Sequence, residues 1–233
     1  MAGVTQHGER VWVVVRAFNE APALGRVLGA LAAAGYRVVV VDDGSTDDTP
    51  RVAREHDVLC ARHPINLGPG AALQTGLTAG LRAGARWLVT FDGDGQHDCA
   101  DIPALLAPLR AGAADVVFGS RFLRREDRAR VPFARRLLLR AGVAVNGVLT
   151  GVWLTDAHNG LRAFTREAAE RIRLRERGFA YASELLSEIE RHALRLAEVP
   201  VAVTYSPRSL AKGQRGWNSV HIVLDYLIGK VLR

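Results

Sequence analysis

Two nearly unbroken runs of β-branched residues, Val11-Trp-Val-Val-Val15 and Val38-Val-Val-Val41, constrain the fold more than any other feature of the sequence. Neither alternates with polar residues, so each suits a strand of a parallel sheet that helices cover on both faces. Between them Pro22 opens a helical stretch in which Leu24, Val27, Leu28 and Leu31 share one face, and Gly35 closes it. Strand, helix and strand then form one unit with a right-handed crossover. The alternation continues through a weaker strand over 57–62, a helix running to Gly84, a strand from Arg86 to Phe91, a helix over 101–110 and a strand over 115–119. The expected architecture is a single α/β domain with a mostly parallel sheet flanked by helices. A chain of 233 residues is long enough to bury the core this needs.

Open sheets of this kind bind ligands at the carboxyl edge of their strands, and acidic residues collect there. The second strand ends in Asp42-Asp43-Gly44-Ser45-Thr46-Asp47. Gly44 permits the turn, and Ser45, Thr46 or Asp47 can cap the next helix, whereas Asp42 and Asp43 are placed to accept from the N–H of a nucleotide base. The strand from Arg86 runs into Phe91-Asp92-Gly93-Asp94-Gly95-Gln96-His97. Carboxylates spaced as Asp92 and Asp94 can share one hard divalent cation and leave its other positions to water and phosphate. The turn Asn66-Leu67-Gly68-Pro69-Gly70 leads into a helix, where free N–H groups can meet a phosphate and small residues can equally serve close packing. It has neither the Lys-Ser/Thr of a P-loop nor the spacing of a dinucleotide fingerprint. Ser120-Arg121 ends the next strand on the same edge.

Beyond Val131 a long apolar, glycine-containing stretch reaches Leu154; it suits either an interfacial helix or a buried crossover helix. Thr155-Asp156-Ala157-His158-Asn159-Gly160 follows as a polar turn. A helix over 179–194 carries Glu184 and Glu188 one turn apart, and a strand over 198–205 precedes the basic loop containing Arg208 and Lys212. The last segment, 217–233, is an amphipathic helix with Val220, Val223, Leu224, Leu227 and Val231 on one face; membrane contact, core docking and a homodimer or other protein partner all explain that stripe. The domain is thus expected over 1–216, with 217–233 as a C-terminal elaboration.

Two cysteines are too few for a disulfide scaffold, and the first residues show no apolar secretory core. No run of about eighteen uninterrupted apolar residues occurs, so the expected place is the cytoplasm, with peripheral contact at the inner face of a membrane as an option. The net charge of +7 is concentrated between Arg121 and Arg140, where eight arginines face only Glu126 and Asp127. Such a cluster attracts phosphorylated or lipid anions, or simply faces solvent. No nucleic-acid partner is expected, because neither a recognition-helix motif nor aromatic platforms accompany the arginines.

With these pieces in order the chain resembles the inverting family-two glycosyltransferases of GT-A fold (a Rossmann-like architecture), in particular the dolichyl- and polyprenyl-phosphate sugar synthases. The resemblance runs from about Val11 to Gly216. It rests on Phe18-Asn19-Glu20, Asp42-Asp43-Gly44-Ser45, Asp92-Gly-Asp94-Gly-Gln96-His97, Gly119-Ser120-Arg121, Arg135 after Pro132-Phe133, Asp156 with Gly160, Glu184, and Arg208 with Lys212. It implies that Phe18, Glu20 and Asp42 hold the base and ribose of a nucleotide-sugar donor. It further implies that Asp92, Asp94 and Gln96 hold Mg²⁺ or Mn²⁺ on the diphosphate. Asn66, Gly68, Arg208 and Lys212 are candidate donor contacts on the same reading. Arg16 departs from the family pattern, which usually has proline there, and Asn159 and Arg162 stand where the synthases tend to carry small or aromatic residues.

The chemistry expected is transfer at an anomeric carbon with a nucleoside diphosphate leaving. A lipid-phosphate acceptor is already deprotonated and needs orienting cations, for which Arg121 and Arg135 are candidates. A sugar-hydroxyl acceptor on a glycan needs a base, for which Asp156 or Glu184 is the candidate. A nucleotidyltransferase would need a basic glycine-rich loop after the first strand, and Arg16-Ala17-Phe18-Asn19-Glu20 is not one. A non-catalytic nucleotide-sugar-binding protein is the alternative from another class.

Overall fold

A computed structural model describes residues 10–123, 143, 147–148, 151–157, 159–178 and 180–204. The expected stretch over 131–154 lies largely outside these residues. Arg135, His158, Arg208, Lys212 and the C-terminal segment 217–233 lie wholly outside them. Among the described residues no helix is long and apolar enough to cross a membrane.

The core is a seven-stranded sheet ordered β3-β2-β1-β4-β6-β5-β7. Its strands are β1 (Val11–Ala17), β2 (Arg37–Asp42), β3 (Leu59–Arg62), β4 (Trp87–Asp92), β5 (Val116–Ser120), β6 (Arg162–Thr165) and β7 (Leu196–Pro200). The helices are α1 (Ala21–Ala33), α2 (Thr49–Arg54), α3 (Pro69–Arg82), α4 (Ile102–Arg110), α5 (Arg166–Arg171) and α6 (Tyr181–Arg191). The valine runs are fully interior, as their lack of alternation requires. Val11, Val13 and Val15 face a core built with α1, α2 and α4, while Trp12 and Val14 face a second core built with α3, α5 and α6. On the second face Gly76 lets α3 lie directly on the sheet, since a Cβ there would overlap Val14.

β1 pairs in parallel with both β2 and β4. The chain therefore builds outward from β1 to β3, then returns to lay β4 on β1's other side, so the order reverses at β1, the position at which such sheets bind ligands. Asp42 and Asp92 terminate the strands on either side of β1 there, with Ala17 opposite Asp42 and Arg16 opposite Asp92.

The sheet is mostly parallel, as expected; the exception is β6, which pairs antiparallel with both β4 and β5. Sequence reasoning finds no strand between Gly160 and Arg177, because four residues beginning with an arginine carry little β signal. The reversal is what positions the site. An antiparallel strand starts at the edge where its neighbours end, so the turn preceding Arg162 is delivered to the carboxyl ends of β4 and β5. Thr165 then ends β6 and caps α5, its Oγ1 accepting from the Ala168 N–H at 3.1 Å. The last strand also lies earlier than expected, at Leu196–Pro200. The chain beyond it runs past the Asp92–His97 turn, bridging His97 with Val203 and donating from Thr204 N to the Gln96 carbonyl at 2.8 Å.

At the opposite edge one carboxylate ties the starts of β5 and β7. Asp115 Oδ2 accepts from the Arg195 backbone N–H and Nε, each at 2.9 Å, and Oδ1 from Nη2 at 2.7 Å. These hydrogen bonds hold the Asp115 carboxyl below the usual carboxylate range against a smaller opposing effect of burial. A carboxyl depressed on folding stabilises the protein above its unfolded pKa of about 3.9, and that contribution is lost as pH falls through the lower native value. Asp115→Asn is accordingly expected to lower the melting temperature at pH 7, with the gap from the parent protein closing below about pH 4 in thermal melts.

Candidate active site

The turn after β1 is built by pairing it with the turn after β2. Asn19 adopts a left-handed conformation (φ 55°), which asparagine tolerates better than most residues. Its side-chain oxygen accepts from Thr46 N at 2.9 Å, and its own N–H donates to Ser45 Oγ at 2.9 Å. Glu20 N donates to Thr49 Oγ1 at 2.8 Å. Ser45 and Thr46 thus fasten the β1 turn rather than cap α2, while Asp47 accepts from Thr49 N at the start of that helix. Phe18 stands at the rim, 41% exposed, with its ring available to a planar ligand.

The two adjacent acids after β2 do different work. Asp43 holds the chain around it: Oδ1 accepts from Leu67 N (2.9 Å) and from His63 Nδ1 (2.7 Å), and Oδ2 accepts from Gly68 N (2.9 Å). Asp42 is fully buried, with Oδ1 accepting from Ser45 N at 3.0 Å and Oδ2 lying 3.0 Å from Arg62 Nε. The glycine-rich turn is used internally. Gly68 N goes to Asp43 and Gly70 N to the Arg177 carbonyl at 2.8 Å, and a Cβ at Gly68 or Gly70 would overlap the backbone at 176–177. Close packing, not free N–H groups, accounts for Gly68; Asn66 is exposed beside it.

Asp92 is the meeting point of the site. Arg16 Nη2 lies 2.5 Å from its Oδ1 and His97 Nε2 3.5 Å from its Oδ2, while Gly160 presses so closely that a Cβ there would overlap the carboxylate. The Thr90 hydroxyl fixes that approach by donating to the Gly160 carbonyl at 2.7 Å. Burial disfavours the charged carboxyl, but the Arg16 and His97 charges and hydrogen bonds outweigh it and hold Asp92 well below the usual carboxylate range. Arg16 also donates to the Tyr181 hydroxyl at 2.9 Å. Arg162, buried between the rings of Phe118 and Tyr181, reaches the same hydroxyl at 3.4 Å and the Ala157 carbonyl at 3.2 Å. Burial raises the Tyr181 phenol, yet the charges of Arg16 and Arg162 prevail and the net shift is downward. Sequence reasoning passes over Tyr181, because an aromatic residue on the apolar face of α6 reads as core.

The polar turn before β6 carries the expected acid. Asp156 is buried against Arg121: Oδ2 accepts from Arg121 Nε at 2.7 Å and from its backbone N at 3.2 Å, and Oδ1 accepts from Nη2 at 3.0 Å. Glu198 on β7 secures the turn by accepting from the backbone N–H of Thr155 (2.8 Å) and Asp156 (3.1 Å). Glu184 is engaged elsewhere. Its carboxylate accepts from Arg175 N at 3.0 Å and Glu176 N at 2.8 Å, which holds the segment packed on Gly68 and Gly70; burial raises its pKa.

The donor set around Asp94 suits a hard divalent cation. Asp94 Oδ1 accepts from Gln96 N at 3.0 Å and the Gln96 side-chain amide nitrogen donates to Oδ2, so Asp94 and Gln96 are joined on one turn, two residues beyond Asp92. Oxygen ligands of this kind fit Mg²⁺ or Mn²⁺. Among the described residues no group of three His, Cys, Asp or Glu side chains converges.

With Asp42 and Asp92 at the strand ends on the edge where the order reverses, the sheet has the arrangement of a glycosyltransferase of GT-A type. The chain belongs to glycosyl transferase family 2, whose profile it matches over residues 12–173. It is 29% identical to a UDP-N-acetylglucosamine–dolichyl-phosphate N-acetylglucosaminyltransferase of Methanococcus voltae, covering 95% of this chain and 98% of that protein. It is 30% identical to a polyprenol monophosphomannose synthase of Mycolicibacterium smegmatis, covering 88% and 81% respectively. Among solved structures it shares its fold with glucosyl-3-phosphoglycerate synthase of Mycobacterium tuberculosis (TM-score 0.68, 22% identity, 95% of this chain and 82% of that one). The same enzyme with Mn²⁺, UDP and glucosyl-3-phosphoglycerate aligns at TM-score 0.64 and 21% identity, over 95% and 81% of the two chains.

Gly160→Ala tests the close approach at Asp92. A methyl group there must push the carboxylate or the turn aside, so activity should fall on the order of 10²-fold, as for a displaced catalytic group. Urea unfolding should show a loss of only about 1–3 kcal/mol, the usual cost of overpacking.

Proposed function

We propose that this glycosyltransferase moves a sugar, with inversion, from a nucleoside-diphosphate sugar to a polyprenyl phosphate. The observation that carries the choice of acceptor is the engagement of both candidate bases. Asp156 has both oxygens on Arg121, and Glu184 has both on backbone N–H groups of 175–176. A sugar hydroxyl must lose a proton during attack, whereas a lipid phosphate is already an anion and needs only to be held. The names of the dolichyl-phosphate and polyprenol-phosphate relatives support the same acceptor class.

In this reading the exposed Phe18 ring stacks on the donor base, with Glu20 and Asp42 beside it at the ends of β1 and β2. Asp94 and Gln96 hold a divalent cation, with Asp92 next to them; when bound, it supplies charge neutralisation for the departing diphosphate. Asp156 fixes Arg121 through its paired nitrogens, so the guanidinium is already oriented toward the acceptor side when substrate arrives. Arg135, Arg208 and Lys212 are proposed as further phosphate contacts on the strength of the resemblance. The arginine cluster over 121–140 and the apolar stripe over 217–233 would bring the protein to an anionic membrane surface, where such an acceptor resides.

The test is an acceptor comparison. Purified protein with Mn²⁺ and a panel of UDP-, GDP- and dTDP-sugars is offered a short polyprenyl phosphate, the corresponding polyprenol and soluble glycans, and products are read by mass spectrometry. A sugar–phosphate–lipid product is expected; transfer confined to hydroxyl acceptors would overturn the reading. Glu184→Gln should lower kcat less than about threefold, against the roughly 10²–10⁴-fold loss expected for a general base. The same variant should cost stability on the order of 1 kcal/mol through its weakened backbone hydrogen bonds.

A further inference from the structure

Arg16 occupies an unusual place for a cation. It sits one residue from the end of β1, directly opposite Asp92 in the parallel register, and its side chain is only 10% exposed. One guanidinium nitrogen lies 2.5 Å from Asp92 Oδ1, the other donates to Tyr181 Oη at 2.9 Å and approaches the Pro69 carbonyl at 3.5 Å. Its Nε is buried with no hydrogen-bond partner among the described residues, so the group is located by the carboxylate and the phenol. Arginine stays protonated at all physiological pH values, so this partner of Asp92 is permanent. The other carboxylate oxygen is bounded by His97 and by the close face of Gly160. Of the two acids in the Asp92-Gly93-Asp94 turn, Asp92 therefore already carries a resident cation on one oxygen, with a third of its side chain exposed, while Asp94 is held by Gln96.

We propose that Arg16 is a positioning residue that withholds Asp92 from the divalent cation in the nucleotide-free protein. Metal binding is then weak until a nucleoside diphosphate supplies the missing oxygen ligands and their negative charge. Two effects act together: Asp92 oxygen is occupied, and a fixed positive charge lies beside the site and repels a second one. Placing the charge on a buried arginine rather than a mobile ion keeps Asp92 fixed against Gly160 whether or not donor is present. The inference rests on the metal-dependent donor site proposed above.

The test is Mn²⁺ binding followed by electron paramagnetic resonance of the free ion, without nucleotide and with saturating UDP, or GDP where UDP does not bind. The parent protein should bind Mn²⁺ weakly alone and at least tenfold more tightly with nucleotide. Arg16→Met and Arg16→Gln, which remove the charge, should tighten nucleotide-free Mn²⁺ binding at least tenfold. Arg16→Lys, which keeps it, should stay within a few-fold of the parent; circular dichroism melts establish which variants are folded. Folded neutral variants that bind Mn²⁺ with nucleotide but no more tightly than the parent without it would overturn the role of Arg16. Failure of the parent and every variant to bind Mn²⁺ even with nucleotide would instead remove the metal-dependent reading, and the proposal with it.

Discussion

The Asp92 carboxylate is held at once by Arg16 from β1, His97 from the turn after β4, and the backbone of Gly160 from the turn before β6. Each contact fixes a different part of the crevice. Arg16 carries the position of Asp92 to Tyr181 at the start of α6 and so to the second core. His97 packs edge-on against Phe91, their ring centroids 5.5 Å apart, and connects the same point to the chain beyond β7. Gly160 carries the turn that holds the Asp156–Arg121 pair up to Asp92. A side chain at position 160, or an uncharged one at position 92, would separate halves of the site that lie far apart in sequence.

This convergence follows from topology. The parallel strands β2 and β4, on either side of β1, place their terminal acids Asp42 and Asp92 on one edge, the edge at which such sheets bind ligands. The antiparallel β6 then begins where β4 and β5 end, so its leading turn has nowhere to go but over that edge. The two strand types perform complementary tasks: the parallel ones present acids at their carboxyl ends, and the reversed one returns the chain to face them. The Asp156–Arg121 pair is buried, and its several hydrogen bonds offset the desolvation that an isolated charge would suffer there.

Much of this was legible in the sequence because strands covered on both faces have a plain signature. The valine runs, the small and acidic residues after them, and the Asp92–Gln96 turn all fall where the pattern places them. What pattern reading missed has a physical reason in each case. The strand over Arg162–Thr165 is short and owes its pairing to neighbours on both sides, not to its own propensity. Asp42 and Asp43 are adjacent and chemically alike, and only the fold assigns Asp43 to the 67–68 amides. Gly68 has the local look of an anion-binding turn, but its N–H is taken by Asp43. Glu184 has the look of a catalytic acid, but its oxygens face a backbone loop. Arg16 and Arg162 stand out as departures from the family pattern, and the fold brings both to one phenol, that of Tyr181.

The position of a bound metal tests this arrangement most directly. Crystals of the protein grown with Mn²⁺ and a nucleoside diphosphate would yield an anomalous difference map at the manganese edge. A single strong peak is expected within coordinating distance of Asp94 and Gln96 and of the diphosphate oxygens, with Arg16 still on Asp92. A peak at Asp42 and Asp43, or bound nucleotide with no peak near Asp94, would contradict it.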